Sequence, residues 1–172
     1  MKTDRGWVIE FQHSYLKPEE RRSRNTFYPK LIWVVDGTRR KTDRAQFLNA
    51  WNDGAPVGRD SRVRRIRSEN FVLLREWAGS NAPIFFDLGE SEVLWWLFAK
   101  SADESAYVVQ FPRAAFLESH RGEATEEAAR AFEEFVNNFP KQLAEYEALV
   151  AKQPLQGFQR YPVPRIGRRR RF

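Results

Sequence analysis

Two side chains near the start of the chain, Glu10 and Gln12, carry the clearest chemical suggestion in the sequence. They sit in Trp7-Val8-Ile9-Glu10-Phe11-Gln12, where Trp7, Ile9 and Phe11 alternate with Val8, Glu10 and Gln12. Such a period of two belongs to a strand with one apolar face. Residues two apart on a strand project to the same side, so Glu10 and Gln12 point together, about 7 Å apart by the strand rise. An acid followed two residues later by a polar group is half of a metal-dependent nuclease site. The carboxylate binds Mg²⁺ (or Mn²⁺), and the second side chain, commonly lysine, positions the attacking water or the phosphate. The bare pattern E-x-Q is common and equally describes two partly solvated strand residues. Nearby, Asp4 is either a second metal ligand or, with Arg5-Gly6, a turn residue. His13 is either a proton carrier at the site edge or structural, and Ser14 a local cap or turn former.

The elements that must hold these residues follow from local patterning. Pro18 suits a first helical turn, with Glu19 and Glu20 favoured there by the macrodipole, and the helix should run to about Phe27 and stop before Pro29. Arg24 and Tyr28 then share a face by their spacing of four. Leu31 to Val35, ended by Asp36-Gly37, is a continuous apolar run, as in a strand buried on both sides. Strand, helix and strand with short connections form a βαβ-like unit with a right-handed crossover. Further on, a helix is expected over Asp43 to Trp51, closed by Asn52-Asp53-Gly54, and a polar, basic loop over Val57 to Arg67. Phe71 to Trp77 fits either strand or helix, and Arg113 to His120 is ambiguous. Strands are expected at Ile84 to Leu88, Glu92 to Phe98 and Tyr107 to Phe111, the last two as a hairpin turning at Ser101 to Ser105. Thr125 caps a long helix to Lys152 with Ala128, Phe132, Phe135, Phe139, Leu143 and Tyr146 on one face. Pro140 should kink it or split it in two. Residues 1–56 form the core unit, 57–121 a strand-rich extension of the same domain, 122–152 a helical segment and 153–172 a mobile or partner-bound basic tail.

Composition bounds what such a domain can be. With 172 residues, 42% of them hydrophobic, the chain can bury a core, and without cysteine it has neither disulfides nor thiolate metal sites. No apolar run reaches membrane-spanning length and no signal-peptide pattern is present, so a cytoplasmic location is expected. The net charge of +6 is unevenly spread. Residues 1–67 hold 16 basic and 8 acidic groups, residues 68–159 hold 7 and 15, and residues 160–172 hold six arginines and no acid. Such a distribution suits a polyanion at the basic front and the tail, or an ordinary soluble surface. The candidate phosphate contacts are Arg21, Arg22 and Arg24, the five arginines of Arg59 to Arg67 (Arg64 and Arg65 among them), and Arg168, Arg169, Arg170 and Arg171. Each group also reads as solvated surface or chain end. Trp95-Trp96 and the phenylalanines of the long helix read as core.

Val8-Ile9-Glu10-Phe11-Gln12-His13-Ser14, then Pro18-Glu19-Glu20, Arg24-x-x-x-Tyr28 and Ile32-Trp33-Val34-Val35-Asp36 together resemble the nuclease-like domain of the competence protein CoiA family. The likeness covers roughly residues 5–37 well and the remainder loosely. It implies an α/β domain of the restriction-endonuclease-like, PD-(D/E)xK type, in an E-x-Q variant, here lacking its first elements and carrying an added β-hairpin and a long C-terminal helix. Glu10 would be a metal ligand, Gln12 would stand at the lysine position, and Arg24 and Tyr28 would lie beside the site against phosphate. The family places a further acid on the strand before E-x-Q, and a histidine-bearing helix earlier still. On this alignment that acid falls just ahead of Met1, so a shortened gene model, a fragment or a natural truncation is expected. The implied activity is Mg²⁺-dependent cleavage of DNA, of the kind that handles DNA taken up by a bacterium. The alternatives are a non-catalytic DNA-binding module on the same fold, or an interaction subunit, as a homodimer or with its sheet completed by another chain.

Overall fold

In a computed structural model, residues 1–58, 60–67, 69, 71–77, 79–100, 105–121 and 125–152 are described, with the backbone alone at 60, 61 and 98–100. The strands are β1 (Val8–Gln12), β2 (Leu31–Asp36), β3 (Ala55–Val57), β4 (Asp60–Arg67), β5 (Ile84–Asp87), β6 (Val93–Lys100) and β7 (Ser105–Pro112). The helices are α1 (Pro18–Phe27), α2 (Asp43–Asp53), α3 (Val72–Trp77), α4 (Arg113–His120) and α5 (Glu126–Lys152). All seven strands join one mixed sheet in the order β1-β2-β5-β6-β7-β4-β3. β1, β2 and β5 are parallel, and every later pairing is antiparallel.

The sheet is covered on both faces, as the unbroken apolar run of β2 requires. Leu31, Trp33 and Val35 pack with Phe47 and Trp51 of α2 and Leu73, Leu74 and Trp77 of α3. Ile32 and Val34 pack on the opposite side with Trp7, Phe85, Trp96, Phe116 of α4 and Phe132 of α5. The fold is therefore a three-layer α/β sandwich, with α1, α2 and α3 in one layer and α4 and α5 in the other. Among the described residues no helix is long and apolar enough to cross a membrane.

α1 differs from the other helices because none of its residues is buried. Hydrogen bonds and charge hold it to the sheet. Asn25 accepts from Trp33 Nε1 at 2.8 Å and donates to Ser80 at 3.0 Å, while the Arg21 guanidinium lies 5.1 Å from the Trp77 ring and donates to the Glu76 carbonyl.

Two expectations are corrected and two open segments are resolved. Val57 to Arg67 is no loop: it contains the end of β3 and all of β4, which pairs with β7 from Val63 opposite Val109 to Arg67 opposite Ser105. Of the β4 side chains that are described, only Val63 and Ile66 enter the core, one on each face, so the strand shows no local apolar alternation. Phe71 to Trp77 resolves as the helix α3, and 113–120 as α4. α5 is not split in two at Pro140 but runs on as one helix, because its packed aromatic face outweighs one missing hydrogen bond. Its start is as expected: the Ala128 amide donates to Thr125 Oγ1 at 3.2 Å. The hairpin turn at 101–104 and the tail at 153–172 lie outside the described residues.

His120 closes the α4–α5 layer among Trp7, Phe116 and Phe132. Its Nδ1–H donates to the Phe116 carbonyl at 2.7 Å, and its buried Nε2 has no hydrogen-bond partner among the described residues. Burial pushes its pKa below the ordinary histidine value, and the Phe116 carbonyl offsets only part of that shift. Protons then bind the unfolded chain more readily than the folded one. The stability this histidine contributes is complete above its unfolded pKa of about 6.5 and falls as the pH drops below it. The urea midpoint of the wild type should therefore decline between about pH 6.5 and pH 5. In His120→Phe that decline should be absent over the same interval.

Candidate functional site

β1 lies at the sheet edge with Glu10 opposite Trp33 and Gln12 opposite Val35. Trp7 and Ile9 enter the α4–α5 layer, so Glu10 and Gln12 project together into the α1 layer, as their spacing requires. Phe11, expected on the apolar side, is more than half exposed, beyond the reach of the core.

The two side chains are already engaged. Glu10 accepts a hydrogen bond from Arg24 Nη1 at 2.9 Å, and Arg24 also donates to Glu20. The Arg24 guanidinium lies 5.9 Å from the Trp33 ring centroid, so one arginine joins β1, β2 and α1. Gln12 donates from Nε2 to the Ser14 carbonyl at 2.7 Å and to Ser14 Oγ at 3.2 Å. Among the described residues Glu10 Oε1 and Gln12 Oε1 accept no hydrogen bond, which leaves two oxygen donors on one face of the strand. They fit part of a Mg²⁺ shell, which takes one or two carboxylates and keeps several waters. Among the described residues no three of His, Asp and Glu gather as a metal site.

The other candidates are dispersed. Asp4 is exposed in a tight turn in which the Thr3 amide donates to the Trp7 carbonyl and Gly6 adopts a φ of 77°. Tyr28 packs at the edge of the α1-side core, one turn from Arg24. Arg22 is exposed and paired with Glu19 at 3.3 Å. Arg64 points inward: its Nη1 donates to the carbonyls of Trp51, Asn52 and Gly54, and its guanidinium stacks 5.1 Å from the Trp51 ring. It thereby caps the C-terminus of α2. Arg65 donates from Nε to Ser105 Oγ at 3.1 Å. Arg168, Arg169, Arg170 and Arg171 lie outside the described residues.

A second group, at the carboxyl ends of the parallel strands, was not anticipated. β2 and β5 end on Asp36 and Asp87, which stand opposite each other in register. Asp36 accepts from the Thr38 amide and hydroxyl at 2.8 and 2.7 Å and lies 3.4 Å from His13 Nδ1. Burial alone would raise its pKa, but the Thr38 and His13 hydrogen bonds outweigh this and hold it below the usual carboxylate range. Asp87 is held low in the same way by Arg113, which grips both of its oxygens at 2.7 and 2.9 Å. A cleft of about 70 Å³ opens beside Asp36, with Gln12, Ser14, Arg21, Arg39 and Glu76 also in its wall. The sequence signal was an acid closing each apolar run, in Val35-Asp36-Gly37 and Phe86-Asp87-Leu88-Gly89.

No family model, curated protein or solved structure matches the chain.

The inward course of Arg64 makes it a stability element. Arg64→Ala should lower unfolding free energy in urea by about 1–2 kcal/mol, because three carbonyls at a helix end lose a charged donor. Arg64→Lys, with no planar fork to span them, should recover less than half of that loss.

Proposed function

We propose that this chain is a nuclease-like protein of the DNA-processing type, in which Glu10 and Gln12 form half of a Mg²⁺ or Mn²⁺ site for phosphodiester hydrolysis. The observation that carries this reading is the register at the β1 edge. The Met1 amino group donates to the Ile9 carbonyl and the Ile9 amide donates back to the Met1 carbonyl, both at 2.7 Å, while Lys2 bridges Val8 in antiparallel fashion. Each step back along one strand is a step forward along its antiparallel partner. The position opposite Glu10 is therefore the one ahead of Met1. Since Met1 and Ile9 exchange both hydrogen bonds, that next pair is the close kind, with Cα atoms about 4.5 Å apart and side chains on one face. An acid there would meet Glu10 Oε1 on the side that Arg24 leaves open. It is also where the resemblance to the competence family puts its second acid.

The β1-α1-β2 unit supports a restriction-endonuclease-like assignment, because it brings Arg24 of α1 onto Glu10 of the E-x-Q strand, with Tyr28 just past the end of the helix. The two acids would hold the metal, which supplies a nucleophilic water at neutral pH. Gln12 would orient that water or a phosphate oxygen. Arg24, released from Glu10 in exchange for the metal, would be left to face the scissile phosphate. A segment ahead of Met1, or a strand from another chain, could bring the missing acid. A role in the cytoplasmic handling of incoming bacterial DNA rests on the family likeness. The competing reading, a non-catalytic DNA-binding module, draws on the Glu10–Arg24 ion pair, which neutralises the acid in place.

Nicking of supercoiled plasmid with Mg²⁺ or Mn²⁺ tests the proposal on three proteins: the chain as it stands, a chain with Asp inserted ahead of Met1 behind a new initiator, and that extended chain carrying Glu10→Ala. The inserted acid should raise nicking by at least about 100-fold, the scale of a lost group at a reacting centre. Glu10→Ala should return it to background. An extended chain that nicks no faster than its Glu10→Ala form would overturn the assignment.

A further inference from the structure

A larger cavity lies at the opposite end of the parallel strands from the Asp36–Asp87 group, where β2 and β5 begin. It holds about 360 Å³, within the range of small-molecule sites. Buried Trp7 and Trp96 contribute to its floor, and the end of α1, the turn at 80–83 and the middle of α5 close around it.

Two features give this cavity a definite chemistry. None of its described lining residues is charged, so neither a phosphate nor a metal ion has a counter-charge inside. Its polar groups are neutral and directional: the Tyr28 hydroxyl and the side-chain amides of Asn81 and Asn137 line it and make no side-chain hydrogen bond among the described residues. Asn25 is not available in the same way. It is fixed between Trp33 and Ser80 and holds the wall in place.

We propose that this cavity is a nucleobase site. Its occupant is a flat, uncharged heterocycle with donors and acceptors along its edge. Aromatic and proline side chains contact the faces of the ring, and Asn81, Asn137 and the Tyr28 hydroxyl read the edge, since amide groups pair with base edges. The sugar and any phosphate stay outside, in solvent. This inference does not rest on the metal-site reading, and its test runs without metal.

Trp7 and Trp96 supply the readout. In EDTA, tryptophan emission is titrated with the four deoxynucleosides, with deoxyribose as control, and with a short single-stranded oligonucleotide that either carries all its bases or has one abasic position. The expected result is a saturable change with at least one deoxynucleoside, or a clear preference for the intact oligonucleotide, and none with deoxyribose. The first outcome identifies free nucleosides as ligands, the second a base presented by a strand. Asn137→Leu and Tyr28→Phe should each weaken binding about 5- to 10-fold, the size of one lost hydrogen bond, with unchanged circular dichroism. No saturable change up to about 10 mM, or equal binding by both variants and the wild type, would overturn the proposal. Glu10→Ala should leave the titration unaltered, so failure here and failure of the nicking assay are separate results.

Discussion

The structure depends on one constraint, the burial of β2 on both of its faces. Leu31 to Val35 are all buried, with Trp33 and Ile32 fully so. A strand apolar on both sides cannot sit at a sheet edge or under a single layer of helices. It must have strands beside it and helices above and below. β1 and β5 take the flanks in parallel, which requires crossover connections and thereby places α1 over β1 and β2. From that follow the register of Glu10 opposite Trp33 and the reach of Arg24 to both.

The parts of the fold readable from sequence are those whose signals are local. Alternation in residues 7–12, proline at 18 and 29, and the helical spacing of Phe132, Phe135, Phe139 and Leu143 each lie within a few turns of the element they specify. β4 has no such signal. Arg62, Arg64, Arg65 and Arg67 surround two apolar residues that face opposite layers, and the strand exists because β7, some forty residues later, supplies its partner. α3 is ambiguous in sequence because Phe71 to Trp77 is a short apolar run with only Arg75 and Glu76 as polar positions, too few residues to separate a helical from a strand period. The helix α5 passes Pro140 because tertiary packing of its aromatic face decides the outcome.

Site residues divide along the same line. That Glu10 and Gln12 share a face was legible, since a period of two fixes it. That Glu10 is matched by Arg24 was not, because fourteen residues and a reversal of chain direction separate them. Arg64 illustrates the converse case: within a run of arginines it resembled surface charge, yet its place in β4 aims it at the carbonyls that end α2. α1 combines both situations. Its polar sequence suggested a phosphate-facing helix, and the same polar groups dock it, through Asn25 and Arg21 on tryptophan-bearing neighbours and Arg24 on Glu10. Because charge carries part of that docking, salt weakens it more than it weakens the apolar layers.

The pairing of Met1 and Lys2 along β1 has a practical side for anyone who produces this protein. An extension fused to the amino end would be led by that register directly past Glu10 and Phe11, along open strand edge. An affinity tag placed there is then part of the sheet's border, able to pair with it, cover the carboxylate or recruit a second molecule. Tags belong at the other terminus, and the first residues of any expressed version amount to a choice about the site itself.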